Sequence, residues 1–134
     1  MKIVPLFVII LFYATACNRP NEKIKEYINT TDSVAINFFK VDGTMDTVVA
    51  VKMVRNKKVI EDLSSMISAS AAKPPVKCGY DGSLHFFKNN RVIQDIGFRM
   101  NDAACMYFTF KQEGELKAAV LSKEAFELLQ NIRK

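Results

Sequence analysis

The sequence predicts an α+β fold, in which an antiparallel sheet of about six strands carries two amphipathic helices on one face. Residues 56–72 and 122–134 each repeat apolar side chains at helical spacing. Six further segments are rich in β-branched and aromatic residues, and short turn signals arrange all eight elements in the order ββαββββα. Each helix has one apolar stripe and the sheet must bury one face, so both helices are expected on the same side.

The first two predicted strands form a hairpin. They span residues 33–41 and 44–54, and the Asp42-Gly43 dipeptide between them favours a two-residue turn. Apolar residues occur at both alternating positions in each strand. This pattern predicts that both faces of the hairpin are partly covered.

The first amphipathic helix is predicted over residues 56–72. Asn56 is a suitable N-cap, and Pro74 and Pro75 prevent the helix from continuing. The apolar stripe of this helix consists of Val59, Ile60, Leu63, Met66 and Ile67. The second helix follows Ser122, which is a suitable N-cap. Its apolar stripe consists of Ala125, Phe126, Leu128, Leu129 and Ile132.

Residues 78–121 are predicted to form a four-stranded meander. Asn89-Asn90 is expected to form a tight hairpin turn, which places Lys88 opposite Arg91. A second turn is expected at residues 112–115. In the strand over residues 91–100, the more apolar of the two alternating sets should face the core. That set consists of Val92, Gln94, Ile96, Phe98 and Met100.

The chain begins with a segment typical of export signals. Residues 1–17 read MKIVPLFVIILFYATAC, with Lys2, an apolar run over residues 3–13 and small residues before Cys17. This segment resembles a bacterial lipoprotein signal peptide, in which the cysteine after the cleavage site is lipidated. The apolar run is shorter than the roughly 20 residues that a membrane-spanning helix needs. A plain secretory signal is the alternative, because Ala14-Thr15-Ala16 also fits a signal-peptidase site.

The resemblance implies that the chain has three parts and a location in the cell envelope. Residues 1–16 are expected to be a signal peptide, residues 17–31 a lipidated N-terminus and tether, and residues 32–134 a single α+β domain. Within the tether, residues 23–29 have apolar side chains at helical spacing, which indicates a short helix docked on the domain. The expected location is the bacterial cell envelope, with the lipid in the membrane and the domain on the periplasmic face or the cell surface. Residues 77–110 are also similar to small uncharacterised bacterial lipoproteins, a likeness that implies no activity.

The chain has three cysteines, and lipidation of Cys17 would leave Cys78 and Cys105 as an even pair. An oxidising compartment favours a structural disulfide between them. A strict hairpin ladder instead places them about 10 Å apart across an intervening strand, beyond the reach of a disulfide. The prolines and glycines near Cys78 are expected to break that ladder, which favours the bond.

The formal net charge of +5 favours anionic partners, but it is too small and too dispersed to predict nucleic-acid binding. Two basic clusters are candidate anion-binding sites. The first, at the start of the first long helix, contains Arg55, Lys57 and Lys58, and the second contains Lys88 and Arg91 at a hairpin turn. Solvated turn charge is the favoured interpretation of both.

The sequence presents no obvious catalytic or metal-binding pattern. His85 is the only histidine, no spacing of Cys and His residues suits zinc, and no cofactor is expected. His85 is interpreted as an ordinary sheet residue. We therefore expect a membrane-anchored, non-catalytic lipoprotein that binds another envelope protein or component. A carrier of a small apolar ligand is the alternative, since seven phenylalanines could line a pocket, and an enzyme is the least favoured alternative.

Overall fold

The computed structural model describes residues 21–42 and 44–134. The predicted signal peptide, the lipidation site Cys17 and Gly43 lie outside the described residues. The elements are α1 (Glu22–Asn29), β1 (Ser33–Phe39), β2 (Val48–Val54), α2 (Lys57–Ala69), β3 (Ala71–Ala72), β4 (Gly82–Lys88), β5 (Arg91–Arg99), β6 (Tyr107–Gln112), β7 (Glu115–Val120) and α3 (Lys123–Arg133). The seven strands form one antiparallel sheet in the order β2-β1-β4-β5-β6-β7-β3.

The predicted α+β class is confirmed, with seven strands rather than about six and three helices rather than two. The additional strand arises because α2 ends at Ala69, three residues before the predicted end. Ala71 and Ala72 then pair with Ala119 and Ala118 of β7 and form the short edge strand β3.

The core lies between the three helices and one face of the sheet. Alternate residues of the central strands are buried in one cluster with residues of α1, α2 and α3. The largest of its side chains are Phe38, Phe86, Phe98 and Phe108. Phe38 and Phe98 meet edge to face, with ring centroids 5.9 Å apart. We call this side of the sheet the covered face and the opposite side the open face.

Helix α1 belongs to the folded domain. Ile24 and Ile28 are fully buried, which confirms the short docked helix that the apolar spacing indicated. Asn21 is also buried, and its side-chain amide donates to the carbonyl of Ala118 at 3.5 Å. The folded domain therefore includes much of the segment that the sequence analysis assigned to the tether.

The predicted two-residue turn at Asp42-Gly43 is wrong. Phe39 pairs with Val48 beside a β-bulge, so the loop spans residues 40–47. The Asp42 carboxylate accepts hydrogen bonds from the backbone N–H and the hydroxyl of Thr44, a local turn that competes with hairpin pairing. The predicted partial cover of both faces is confirmed for β1, in which the consecutive residues Val34, Ala35 and Ile36 are buried. It is wrong for β2, which is an edge strand with most of its side chains exposed.

The meander over β4 to β7 is confirmed. Asn89 and Asn90 have φ values of 50° and 63°, as a type I′ hairpin turn requires, and Lys88 faces Arg91. Both predicted helix caps are present, since the side chains of Asn56 and Ser122 accept backbone N–H groups of α2 and α3.

The predicted core-facing set of β5 is correct only after a β-bulge. Ile96, Phe98 and Met100 are buried as predicted, whereas Val92 is exposed. Phe87 pairs with Val92 but Phe86 pairs with Gln94, so Ile93 is an extra residue in β5. The extra residue moves Val92 to the open face and shifts the pairing of all later residues by one.

The disulfide between Cys78 and Cys105 is present, with its Cα atoms 5.9 Å apart. The strict ladder that would have separated them does not apply, because β4 begins only at Gly82 and Cys78 lies in the preceding loop. Asp81 fixes the end of this loop. Its buried carboxylate accepts from Arg99 at 3.0 Å and from the backbone N–H groups of Met100 and Asn101 at 2.7 and 2.8 Å.

Candidate functional site

The open face carries a polar cluster at its centre. Ser83 and His85 alternate along β4 with the buried residues Leu84 and Phe86, so their side chains project from the open face. Asn37 of β1 is paired with Ser83, and Asp95 of β5 is paired with His85. We call Ser83, His85 and Asp95 the Ser83–His85–Asp95 cluster.

The members of the cluster are joined by hydrogen bonds through the imidazole ring. His85 Nδ1 lies 2.5 Å from Asp95 Oδ1, and His85 Nε2 lies 2.9 Å from Ser83 Oγ. An ionised carboxylate can only accept, so Nδ1 carries the proton in the neutral ring. Nε2 then has a free lone pair, which accepts the Ser83 hydroxyl proton. The side-chain amide of Asn37 also reaches Nε2, at 3.3 Å.

Solvent reaches the cluster. The side chain of His85 is 30% exposed and that of Asp95 is 69% exposed. An unbroken ladder from the Asn89-Asn90 turn would place His85 opposite Gln94, which gives the ring no carboxylate partner. The β-bulge shifts its partner to Asp95, and the pairing of β1 with β4 adds Asn37. Neither feature has a clear signature in the sequence.

A groove of about 440 Å³ runs beside the cluster on the open face. Asp95, Gly97 and Thr109 contribute to its lining, together with Lys111. The apolar part of the lining includes Tyr80, Ile93 and Leu116. A Cβ atom at Gly97 would lie 2.5 Å from the ring of Tyr80, so the glycine allows that ring to lie directly on the sheet.

The residues of the first candidate anion site are largely engaged with neighbouring groups. Lys57 donates to the carbonyl of Asn29 at 3.2 Å, and Lys58 pairs with Asp62 at 2.6 Å. The hydrogen bond from Lys58 to Asp62, supported by their charges, raises the pKa of Lys58. Asn56 accepts the first free N–H groups of α2, which an anion would otherwise bind.

The structure brings the remaining basic candidates to one end of the sheet. Arg55 follows β2 directly, while Lys88 and Arg91 flank the turn between β4 and β5. Pairing of β1 with both β2 and β4 places these positions at the same end. Asp32 also lies there, where it accepts the backbone N–H of Asn89.

A crevice of about 680 Å³ lies between α1 and the β5–β6 part of the sheet. Most of the side chains that line it are polar or charged, and the ion pair of Lys23 with Glu113 lies at its rim. The hydrogen bond from Lys23, followed by its charge, lowers the pKa of Glu113.

Five of the seven phenylalanines considered for an apolar carrier instead fill the core. They are Phe38, Phe86, Phe98, Phe108 and Phe110. These five side chains are therefore not available to line an open ligand pocket.

Strand β2 forms one edge of the sheet, and its outer side pairs with no other strand in the described residues. Val48, Val49, Val51 and Met53 are between 45% and 60% exposed. The strand has one charged residue, Lys52, and no proline. The opposite edge is formed by β3, which is only two residues long.

No protein-family model, no curated protein and no solved structure matches this chain. In the part of the chain that the structure describes, no helix is long and apolar enough to cross a membrane. The same residues contain no group of three or more His, Cys, Asp or Glu side chains arranged to hold a metal ion.

Proposed function

We propose that this chain is a lipid-anchored protein of the bacterial cell envelope, and that β2 binds an extended segment of another envelope protein by strand addition. The observation that carries the binding proposal is the exposed, apolar and unpaired edge of β2. Natural sheets usually protect such edges with short strands, charges or proline, because unpaired N–H and C=O groups recruit other strands. A partner strand would satisfy these groups and cover the exposed valines.

The proposed anchor rests on the leader and on the cysteine count. Of the three cysteines in the chain, Cys78 and Cys105 are paired, which leaves Cys17 for a lipid. The described chain begins at Asn21, which contacts β7 through Ala118. Strand β7 lies five strands from β2, or about 24 Å across the sheet. An anchor that leaves from this side would keep the β2 edge accessible.

The charges near β2 favour a segment of another protein over a second copy of this chain. From Val48 to Arg55 the edge has two positive charges, at Lys52 and Arg55, and no negative charge. An extended segment with apolar residues and a carboxylate near Arg55 would complement it. Antiparallel pairing of two copies around Val51 would instead bring the two Lys52 residues to diagonal positions, where like charges repel.

Site-specific photo-cross-linking tests the binding proposal. A photoreactive residue is placed at position 51 of the full-length protein in its native envelope, and the matched control carries it at position 120. Val120 is also exposed, but it lies in β7. We expect an adduct with one envelope protein from position 51 only. Adducts with a second copy of this chain, or equal adducts from both positions, would contradict the proposal.

Mass spectrometry tests the anchor separately. Protein extracted from membranes should exceed the mass of residues 17–134 by the mass of the acyl groups on Cys17. The variant Cys17→Ser should lose the added mass and leave the membrane fraction. An unmodified Cys17 in membrane-extracted protein would show that the lipid assignment is wrong.

A further inference from the structure

We propose that Ser83 is an activated nucleophile, and that the Ser83–His85–Asp95 cluster hydrolyses small carboxylic esters on the open face. This activity goes beyond the proposed binding by β2. The geometry carries the proposal: a serine hydroxyl 2.9 Å from a ring nitrogen whose opposite nitrogen lies 2.5 Å from a carboxylate. This is the order of groups by which serine hydrolases activate their nucleophile.

The tautomer of His85 is the one that the chemistry requires. Asp95 holds the proton on Nδ1, so Nε2 can take the proton of Ser83 Oγ as the nucleophile attacks. The imidazolium that forms then faces the Asp95 carboxylate. The Asn37 amide lies 3.3 Å from Nε2, the ring nitrogen that Ser83 also contacts, and in this proposal it donates to the oxyanion of the intermediate.

The reaction balances with water as the second substrate. Ser83 Oγ forms a bond to the ester carbonyl carbon while its proton passes to His85 Nε2. The bond from that carbon to the alcohol oxygen then breaks, and the alcohol leaves with the proton. Water attacks the acyl-serine and gives one proton to Nε2, and the carboxylic acid leaves as Ser83 recovers its hydroxyl proton.

The surroundings favour a small ester over a peptide. The groove beside Asp95 is open to solvent, and Tyr80, Ile93 and Leu116 offer an apolar wall for an acyl or aryl group. Asp95 is largely solvated, so its charge stabilises the imidazolium less than a buried carboxylate would. Esters have better leaving groups than amides and need less of this stabilisation.

Covalent labelling of the purified full-length protein tests the proposal. A fluorophosphonate reagent phosphonylates an activated serine with loss of fluoride, and the adduct is located by peptide mapping. We expect one adduct, on Ser83, together with hydrolysis of 4-nitrophenyl acetate. Ser83→Ala should abolish both, whereas Ser65→Ala, which changes an exposed serine on α2, should alter neither. An unlabelled Ser83 would overturn the proposal.

Three further variants separate activation from simple exposure of the hydroxyl. His85→Gln should slow labelling by at least about 100-fold, because it removes the base. Asp95→Asn should slow labelling by about 10-fold and Asp95→Glu should restore it, since only a carboxylate fixes the tautomer. Melting curves confirm that each variant is folded. Labelling of Ser83 at an unchanged rate in folded His85→Gln protein would show that the cluster is only a set of cross-strand hydrogen bonds.

Discussion

The two faces of the sheet differ in how strongly packing restricts the side chains that they carry. The covered face packs against three helices, and its positions are filled by fully buried aromatic and aliphatic side chains such as Phe98 and Leu84. The open face is covered less completely. Thr109 and Ala118 are buried there, but the same face also carries a polar cluster and exposed valines. Packing therefore constrains the covered face, whereas the residues of the open face are available for binding and chemistry.

The largest expected difference between the faces is in stability. Phe98→Ala should lower the free energy of unfolding by about 3–5 kcal/mol, because it leaves a cavity beside Phe38. Val51→Ala, on the open face, should change it by no more than about 0.5 kcal/mol. Chemical denaturation of both variants measures the difference. Similar losses in the two variants would show that the open face is packed as well.

The disulfide should contribute almost as much as a core aromatic residue. It closes a loop between positions separated by 27 residues. For a loop of this length, the chain-entropy relation gives a stabilisation of the fold of about 3.6 kcal/mol. Replacing both Cys78 and Cys105 by alanine should therefore lower the melting temperature by about 10 °C or more. Peptide mapping without reduction should recover the two cysteines in one linked pair. An unchanged melting temperature would show that the loop is held by Asp81 alone.

Two glycines, one on each face, allow a matched comparison of the faces. The expected loss of stability is smaller than for the changes above. A Cβ atom at Gly82 would lie 2.2 Å from the carbonyl oxygen of Asn37 and 2.3 Å from the ring of Phe98. Gly82→Ala should therefore destabilise the fold by about 1–3 kcal/mol. Gly97→Ala should cost less, because the Tyr80 ring that it meets is partly exposed and can move. Thermal melts show which of the two variants loses more stability. A larger loss in Gly97→Ala than in Gly82→Ala would contradict the assignment of faces.

The sequence predicted the covered face well and the open face poorly. Apolar spacing identified the stripes of α2 and α3, and the residue types at Asn89-Asn90 identified a turn, because these signals are local. The bulge at Ile93 has no comparable signal, since it depends on how β4 and β5 fit together. The pairing of β1 with β4 is also non-local, and it decides that β2 is an edge and that Asn37 lies beside Ser83.

A charged residue on β2 should have the smallest effect on stability and a large effect on binding. Val51→Lys should change the free energy of unfolding by no more than about 0.5 kcal/mol, since Val51 is 60% exposed. It should nevertheless abolish capture of the partner identified by cross-linking, because it replaces an apolar side chain that the partner covers with a charged one. Val120→Lys is the matched control and should bind normally. Undiminished binding by Val51→Lys would show that β2 does not form the interface with the partner.

Amide hydrogen exchange tests the central claim most directly. Strand addition predicts that the outward-pointing N–H groups of β2 exchange at least about 10-fold more slowly once the partner is bound, because each gains a hydrogen-bond acceptor. The amides of β3, at the opposite edge, should exchange at the same rate in both states. A bound partner that leaves the exchange of β2 unchanged would contradict strand addition.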